Sequence, residues 1–175
     1  MARGKFRGED RQKMDNKGRV LLLPDWRRVL EAGNPDQDGD EPPPLIINYG
    51  KHLPGYVECY TVAEMEEIEA DVEELDEGSL RRDYMEQYIL SQQKMVSIDP
   101  TNRMVLPSAL RDHIDVGNGS EIYIRGRGRS FQIWNAAIYD ATEAVRLARF
   151  VEEEGAEISP RAILGAARKK RLAQG

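Results

Sequence analysis

A succession of short motifs in the first half of the chain recurs, in the same order, in the second half, and this duplication constrains the fold more than any other feature. Asp15-Asn16-Lys17-Gly18-Arg19-Val20-Leu21 matches Asp99-Pro100-Thr101-Asn102-Arg103-Met104-Val105. Each copy has Asp, three residues, Arg, an apolar run and then a proline, Pro24 or Pro107. A helical turn carrying arginine follows each proline, Trp26 to Leu30 and Ala109 to Ile114. A second anchor aligns Pro44 to Gly50 with Ser120 to Gly126, and a third aligns Tyr56 to Tyr60 with Ser130 to Trp134. Each unit therefore reads strand, short helix, strand, tight turn, strand. Gly50, Gly126 and Gly128 supply turn positions where φ is free to be positive. Gly33 to Pro44, with its Asn, Asp, Gly and run of prolines, is a loop insertion that lengthens the first unit.

A unit of ~45 residues buries too little apolar surface to stand alone. Two in one chain can interlock and share one core around a pseudo-two-fold axis, which predicts an α+β fold with flanking helices. Thr61-Val62-Ala63-Glu64 has the capping-box pattern and opens a helix whose apolar stripe is Val62, Met65, Ile68, Val72 and Leu75. Asn135 takes the place of Thr61 and starts another helix, with Ile138, Thr142 and Val145 on one face. Leu80, Tyr84 and Tyr88 mark a helix joining the units, and Ser159-Pro160 marks the start of a basic C-terminal helix.

The net charge is −6, but the distribution matters more than the sum. Met1 to Arg28 holds nine cationic side chains against four carboxylates, a net of +5. Glu64 to Glu77 holds nine carboxylates and no Lys or Arg, and the chain turns basic again at Arg161, Arg168, Lys169, Lys170 and Arg171. The absence of a ~20-residue apolar run excludes a membrane span. A single cysteine, Cys59, excludes an intrachain disulfide, and without an export signal the expected location is the cytoplasm. His52, His113 and Cys59 show no paired ligand spacing, and no nucleophile–base arrangement emerges. The chain is thus expected to lack metal, cofactor, small-molecule substrate and enzymatic activity.

Phe6-Arg7-Gly8-Glu9, Asp15-Asn16-Lys17-Gly18-Arg19, and the strand ends at Tyr60 and Trp134 that open helices resemble the MraZ family of bacterial regulators over roughly Phe6 to Val151. The resemblance implies two tandem AbrB-like swapped-hairpin units interlocked as a pseudo-dimer. The first covers 7–63 with a helix to about 78, the second 92–137 with a following helix, and 156–175 is a basic tail. It further implies a nucleoid-associated transcription factor that binds promoter direct repeats in double-stranded DNA upstream of a cell-division and cell-wall operon, usually as a repressor. Ring-shaped homo-oligomers are also implied, with the Asp-three-Arg element carrying DNA binding. Asn102 departs from the glycine expected before Arg103, although Asn tolerates a left-handed turn. Arg19 to Pro24 is one residue longer than Arg103 to Pro107, which a β-bulge or a later helix start would accommodate.

The candidate DNA-binding residues are Arg7, Arg11, Lys13, Asp15, Lys17, Arg19 and Arg103. Arginine suits bidentate contact with guanine, whereas Lys17 meets phosphate as a point charge. On a strand, Arg11 and Lys13 share a face. Structurally, Asp15 would cap the turn and pair with Arg19; the second copy, poorer in basic neighbours, completes the fold or a subunit contact. Arg125-Gly126-Arg127-Gly128-Arg129 lies between strands and reads as a hairpin tip, with a secondary DNA or subunit contact as the alternative. The Glu64–Glu77 run reads as a solvated helix face, with DNA repulsion or docking of a neighbour's basic tail as alternatives. Trp26, Phe131 and Trp134 read as core anchors. The rival to DNA binding is a protein-interaction module, an AbrB-like antitoxin or adaptor whose acidic helix binds a partner.

Overall fold

The computed structural model describes residues 4–155 and 158–175. Arg3 of the cationic leading segment and residues 156–157 of the tail lie outside the described residues. The chain divides into a first unit ending at Ala137 and a second running from Ile138 to Gly175.

The first repeat supplies β1 (Glu9–Lys13), β2 (Arg19–Leu21), α1 (Trp26–Ala32), β3 (Pro44–Asn48) and β4 (Tyr56–Tyr60). Helices α2 (Val62–Glu73) and α3 (Leu80–Met85) follow, and α3 runs on into a π-helical turn, Glu86–Leu90. The second repeat supplies β5 (Gln93–Ser97), β6 (Arg103–Val105), α4 (Ser108–His113), β7 (Glu121–Gly126) and β8 (Ser130–Asn135). A six-stranded antiparallel sheet has the order β1-β7-β8-β4-β3-β5, and β2 pairs with β6 in a separate two-stranded ribbon.

The first strand of each repeat leaves its own unit: β1 pairs with β7 and β5 pairs with β3. The two pairings at the centre are self-symmetric. β4 and β8 cross at Glu58 opposite Gln132, and β2 and β6 cross at Val20 opposite Met104. The registers correct the second sequence anchor by one residue. Ile46 pairs with Tyr60 and Tyr123 with Trp134, so Leu45-Ile46-Ile47 corresponds to Ile122-Tyr123-Ile124. The uncorrected match sets buried Leu45 against exposed Glu121; with the corrected match, all six side chains are buried.

Phe6, Trp26 and Phe131 form the aromatic centre of the core, with ring centroids 4.5–5.5 Å apart. The Trp26 indole N–H, which needs a partner once buried, donates to the Arg7 carbonyl at 2.8 Å. Trp134 stacks on Tyr56 at 4.1 Å, so Trp26, Phe131 and Trp134 are all packing residues. Gly126 does not adopt the positive φ expected of a turn glycine; it is needed because a Cβ there would sit 2.4 Å from the Phe6 carbonyl oxygen.

Local signals are met with two corrections. Thr61 caps α2 by accepting from the Glu64 N–H, but Glu64 does not complete the box: its carboxylate binds Arg129 at 2.9 Å. Asn135 caps the next helix, accepting from the Ala137 N–H at 3.0 Å. That helix breaks at Thr142, where φ −123° and ψ −78° separate α5 (Ala136–Ala141) from α6 (Glu143–Glu154). The Thr142 hydroxyl turns back onto the Ile138 carbonyl, and Ile138, Thr142 and Val145 do not share one continuous helix. In the second unit, Ser159 caps α7 (Pro160–Ala173) as its pattern requires. No helix among the described residues is long and apolar enough to cross a membrane.

Candidate nucleic-acid interface

The two Asp-three-Arg elements build the same loop by the same local chemistry. Asp15 Oδ1 accepts the backbone N–H groups of Lys17 and Arg19, each at 3.0 Å. Asp99 Oδ1 accepts those of Thr101 at 2.8 Å and Arg103 at 2.9 Å. Each loop passes through a left-handed residue, Gly18 at φ +72° and Asn102 at φ +61°, so Asn at that place preserves the shape. The N–H groups received from Arg19 and Arg103 are the main reason both carboxyls lie below the usual carboxylate value.

The loops then lock to each other. The Leu22 N–H donates to the Asn102 carbonyl at 2.9 Å and the Leu106 N–H to the Gly18 carbonyl at 2.8 Å, continuing the β2–β6 ladder beyond its three registered pairs. That ladder has no bulge, so the extra residue before Pro24 is taken up by a later helix start: α1 begins at Trp26, α4 at Ser108. Behind the loops, the Arg27 guanidinium donates to the Asp99 carbonyl at 2.8 Å, and Arg111 lies so close that a Cβ on Gly18 would be 2.9 Å from its Nε.

Alternation along the ribbon buries Val20 and Met104 and turns Arg19, Leu21, Arg103 and Val105 the other way. Arg19 stands opposite Val105 and Leu21 opposite Arg103. The outer face is therefore a two-by-two patch, with arginines on one diagonal and aliphatic side chains on the other. Leu21 is 42% exposed and Val105 54%. Sequence reading missed Leu21 and Val105; the signal was their spacing of two from each arginine.

The structure brings Asp15, Lys17, Arg19 and Arg103 together and sets the rest of the predicted group apart. Gln12 on β1 reaches the ribbon, exchanging two side-chain hydrogen bonds of 2.9 Å with the Leu21 backbone. Arg11 and Lys13 flank Gln12 in sequence and so lie on the opposite face of β1. Arg11 pairs with Glu121 at 3.1 Å and lies 5.0 Å from the Tyr123 ring centroid; Arg7 is exposed just before β1. At the β7–β8 tip, Arg127 is exposed while Arg129 clamps Glu64 and Glu67 on α2. The acidic helix of the first repeat thus holds a cation of the second. His113 bonds the Leu53 carbonyl, and burial pushes the Cys59 thiol up from its ordinary value.

Exchanged strands and a ribbon of paired Asp–Arg turns together define a class: a duplicated α+β protein that presents both copies of one motif on one face. No protein-family model matches the chain. It is 38% identical over 160 residues to the transcriptional regulator MraZ of Ruegeria pomeroyi, covering 91% of this chain and 94% of the relative. The MraZ of Ruegeria sp. (strain TM1040) is 36% identical, with 89% and 92% covered, and that of Cereibacter sphaeroides (strain KD131) is 37% identical, with 78% and 83% covered. The chain belongs to the MraZ family of transcriptional regulators.

Proposed function

We propose that the chain regulates transcription by binding double-stranded DNA in a sequence-specific manner through the β2–β6 ribbon. The observation that carries this reading is the outward patch of exposed Arg19, Leu21 and Val105 and half-buried Arg103 on a ribbon narrow enough for the major groove. Each arginine is suited to guanine O6 and N7, worth about 1–3 kcal/mol of base discrimination per good pair, and the aliphatic pair suits thymine methyls. Asp15 belongs to the site because it orients Arg19, gripping its Nε at 2.5 Å. Lys17 meets phosphate, and Arg7, with Arg11 and Lys13 on the face of β1 turned away from the ribbon, contacts backbone further along the duplex.

The exchange of β1 and β5 supports the finer fold assignment, two AbrB-like swapped-hairpin units at 7–63 and 92–137, with α2 extending the first to about 78, helices after the second and a basic tail from 156. Family resemblance supports repression at direct repeats upstream of a cell-division and cell-wall operon, a ring-shaped homo-oligomer, and a cytoplasmic, nucleoid-associated location, without catalysis or a cofactor. One subunit binds one box weakly; several linked subunits meeting several boxes gain up to about 10²–10⁴-fold in avidity.

A titration of the full chain with its upstream DNA at two salt concentrations tests the proposal. Affinity should fall steeply with salt, by about 0.9 in log–log slope per phosphate contacted. A folded Arg19→Ala protein that binds with unchanged affinity and unchanged base preference removes the ribbon from the site.

A further inference from the structure

We infer that the groove between α2 and α3 receives helix α7 of a second copy of this chain. The groove has a volume of about 610 Å³ and is floored by Ile68, Val72 and Leu75 of the α2 side and by Leu80, Tyr84 and Met85 of the α3 side, with Asp71 and Arg81 completing its lining. Leu80 is 86% exposed and Tyr84 52%, far more than their apolar bodies warrant on a surface with no partner. Around this floor the Glu64–Glu77 segment contributes carboxylates and no Lys or Arg.

Helix α7 has the complementary character. Pro160, Ile163, Leu164 and Ala167 fall at i, i+3, i+4 and i+7 and so share one face. Ile163 is 52% exposed and Leu164 56%. Arg161 and Arg168 flank that face on one side and Lys170 on the other, Arg171 continues it towards the C-terminus, Lys169 lies opposite, and no carboxylate side chain occurs from Ser159 to Gly175. An amphipathic helix laid in an apolar groove is a common recognition mode, and opposite charge on the two rims steers the approach and fixes the register. Arg81 is the one cation among the lining residues and Asp71 the one carboxylate.

A second copy is the occupant because every chain carries both halves, and both are exposed. Such a contact is heterologous: each subunit's tail enters the next subunit's groove, and the series closes when the rotation permits. The inference rests on the oligomeric reading above and gives it a specific interface, independent of DNA.

Sedimentation velocity of the full-length protein without DNA tests it. A groove variant (Leu80→Lys with Tyr84→Lys) and a tail variant (Ile163→Asp with Leu164→Asp) change only exposed side chains, so circular dichroism should be unchanged. Each alone should fall to a smaller species, with self-association weakened about a hundredfold or more. Mixed in equal amounts they should form a dimer, because one intact groove and one intact tail remain. Variants that sediment like the parent, a parent that is monomeric, or a mixture that stays monomeric would each overturn the inference. Disulfide trapping of Leu80→Cys with Leu164→Cys should link two chains; a link formed within one chain would overturn it in favour of the protein's own tail. Binding of one isolated DNA box by the tail variant at parental affinity separates failure here from failure of the DNA-binding reading.

Discussion

The first Asp-three-Arg turn and the second have the same backbone, but they use their carboxylates differently. Asp15 takes two backbone N–H groups on Oδ1 and the Arg19 side chain on Oδ2; Asp99 takes two backbone N–H groups and the Thr101 hydroxyl, at 2.7 Å, all on Oδ1. The shared part, carboxylate to backbone, is what shapes the loop. The ion pair is an addition peculiar to the first copy, where it aims Arg19. The glycine differs for a related reason. Position 18 needs both a left-handed backbone and room for Arg111, which only Gly provides, whereas position 102 needs only the left-handed backbone, which Asn accepts.

The largest effect expected of this contrast is at position 18. Gly18→Val forces a β-branched residue into positive φ against Arg111 and should cost about 2–3 kcal/mol or more; Asn102→Gly should stay within about 0.5 kcal/mol of the parent. Denaturant midpoints measure both, and equal losses would break the distinction.

Next comes the pair of arginines. Arg19→Ala should weaken specific binding by about 10- to 100-fold and relax preference at one base pair, the size of one lost bidentate contact. Arg103→Ala should do the same at a pseudo-symmetric base pair if both turns read DNA. A normal Arg103→Ala titration would confine reading to the first turn.

A smaller effect attaches to Lys17, whose counterpart is Thr101. Lys17→Ala should weaken binding evenly across sequences and reduce the salt slope by about one, and Thr101→Lys should raise it by about as much. Loss of base preference in Lys17→Ala would contradict a phosphate role.

The smallest contrast is in acid. Both carboxyls are depressed in the folded state, so their contribution to stability is complete above the unfolded value of 3.8 and is lost as pH falls through the lower folded value. Acid titration of stability for Asp15→Asn and Asp99→Asn should flatten this dependence similarly, because the backbone bonds common to both turns come first among the causes. A much larger change for Asp15→Asn would give the Arg19 ion pair the greater share.

What was legible beforehand follows from the range of the interactions. The caps at Thr61, Asn135 and Ser159, and the survival of the turn at Asn102, involve partners within four residues and were read correctly. The one-residue error in matching β3 to β7 arose because both faces of those central strands are buried, which removes the alternation that normally reports register. The Glu64 carboxylate left its expected capping role for Arg129, a partner 65 residues away. Among the candidate residues, Asp15, Lys17, Arg19 and Arg103 fall on the two joined turns and the ribbon that follows them. Arg11 and Lys13 shared their charge sign but not their face.

Taken alone, the amino-acid order determined that a unit occurs twice, where its turns lie and how each Asp closes its loop, since these depend on hydrogen bonds a few residues long. Only the tertiary structure decided that β1 and β5 change places and that β2 meets β6 across 84 residues of chain, setting Arg19 and Arg103 on one surface with Leu21 and Val105 between them. Two copies of a motif define a site only when strand pairing brings them to one face, and the choice among antiparallel partners rests on a shared core that no local pattern encodes.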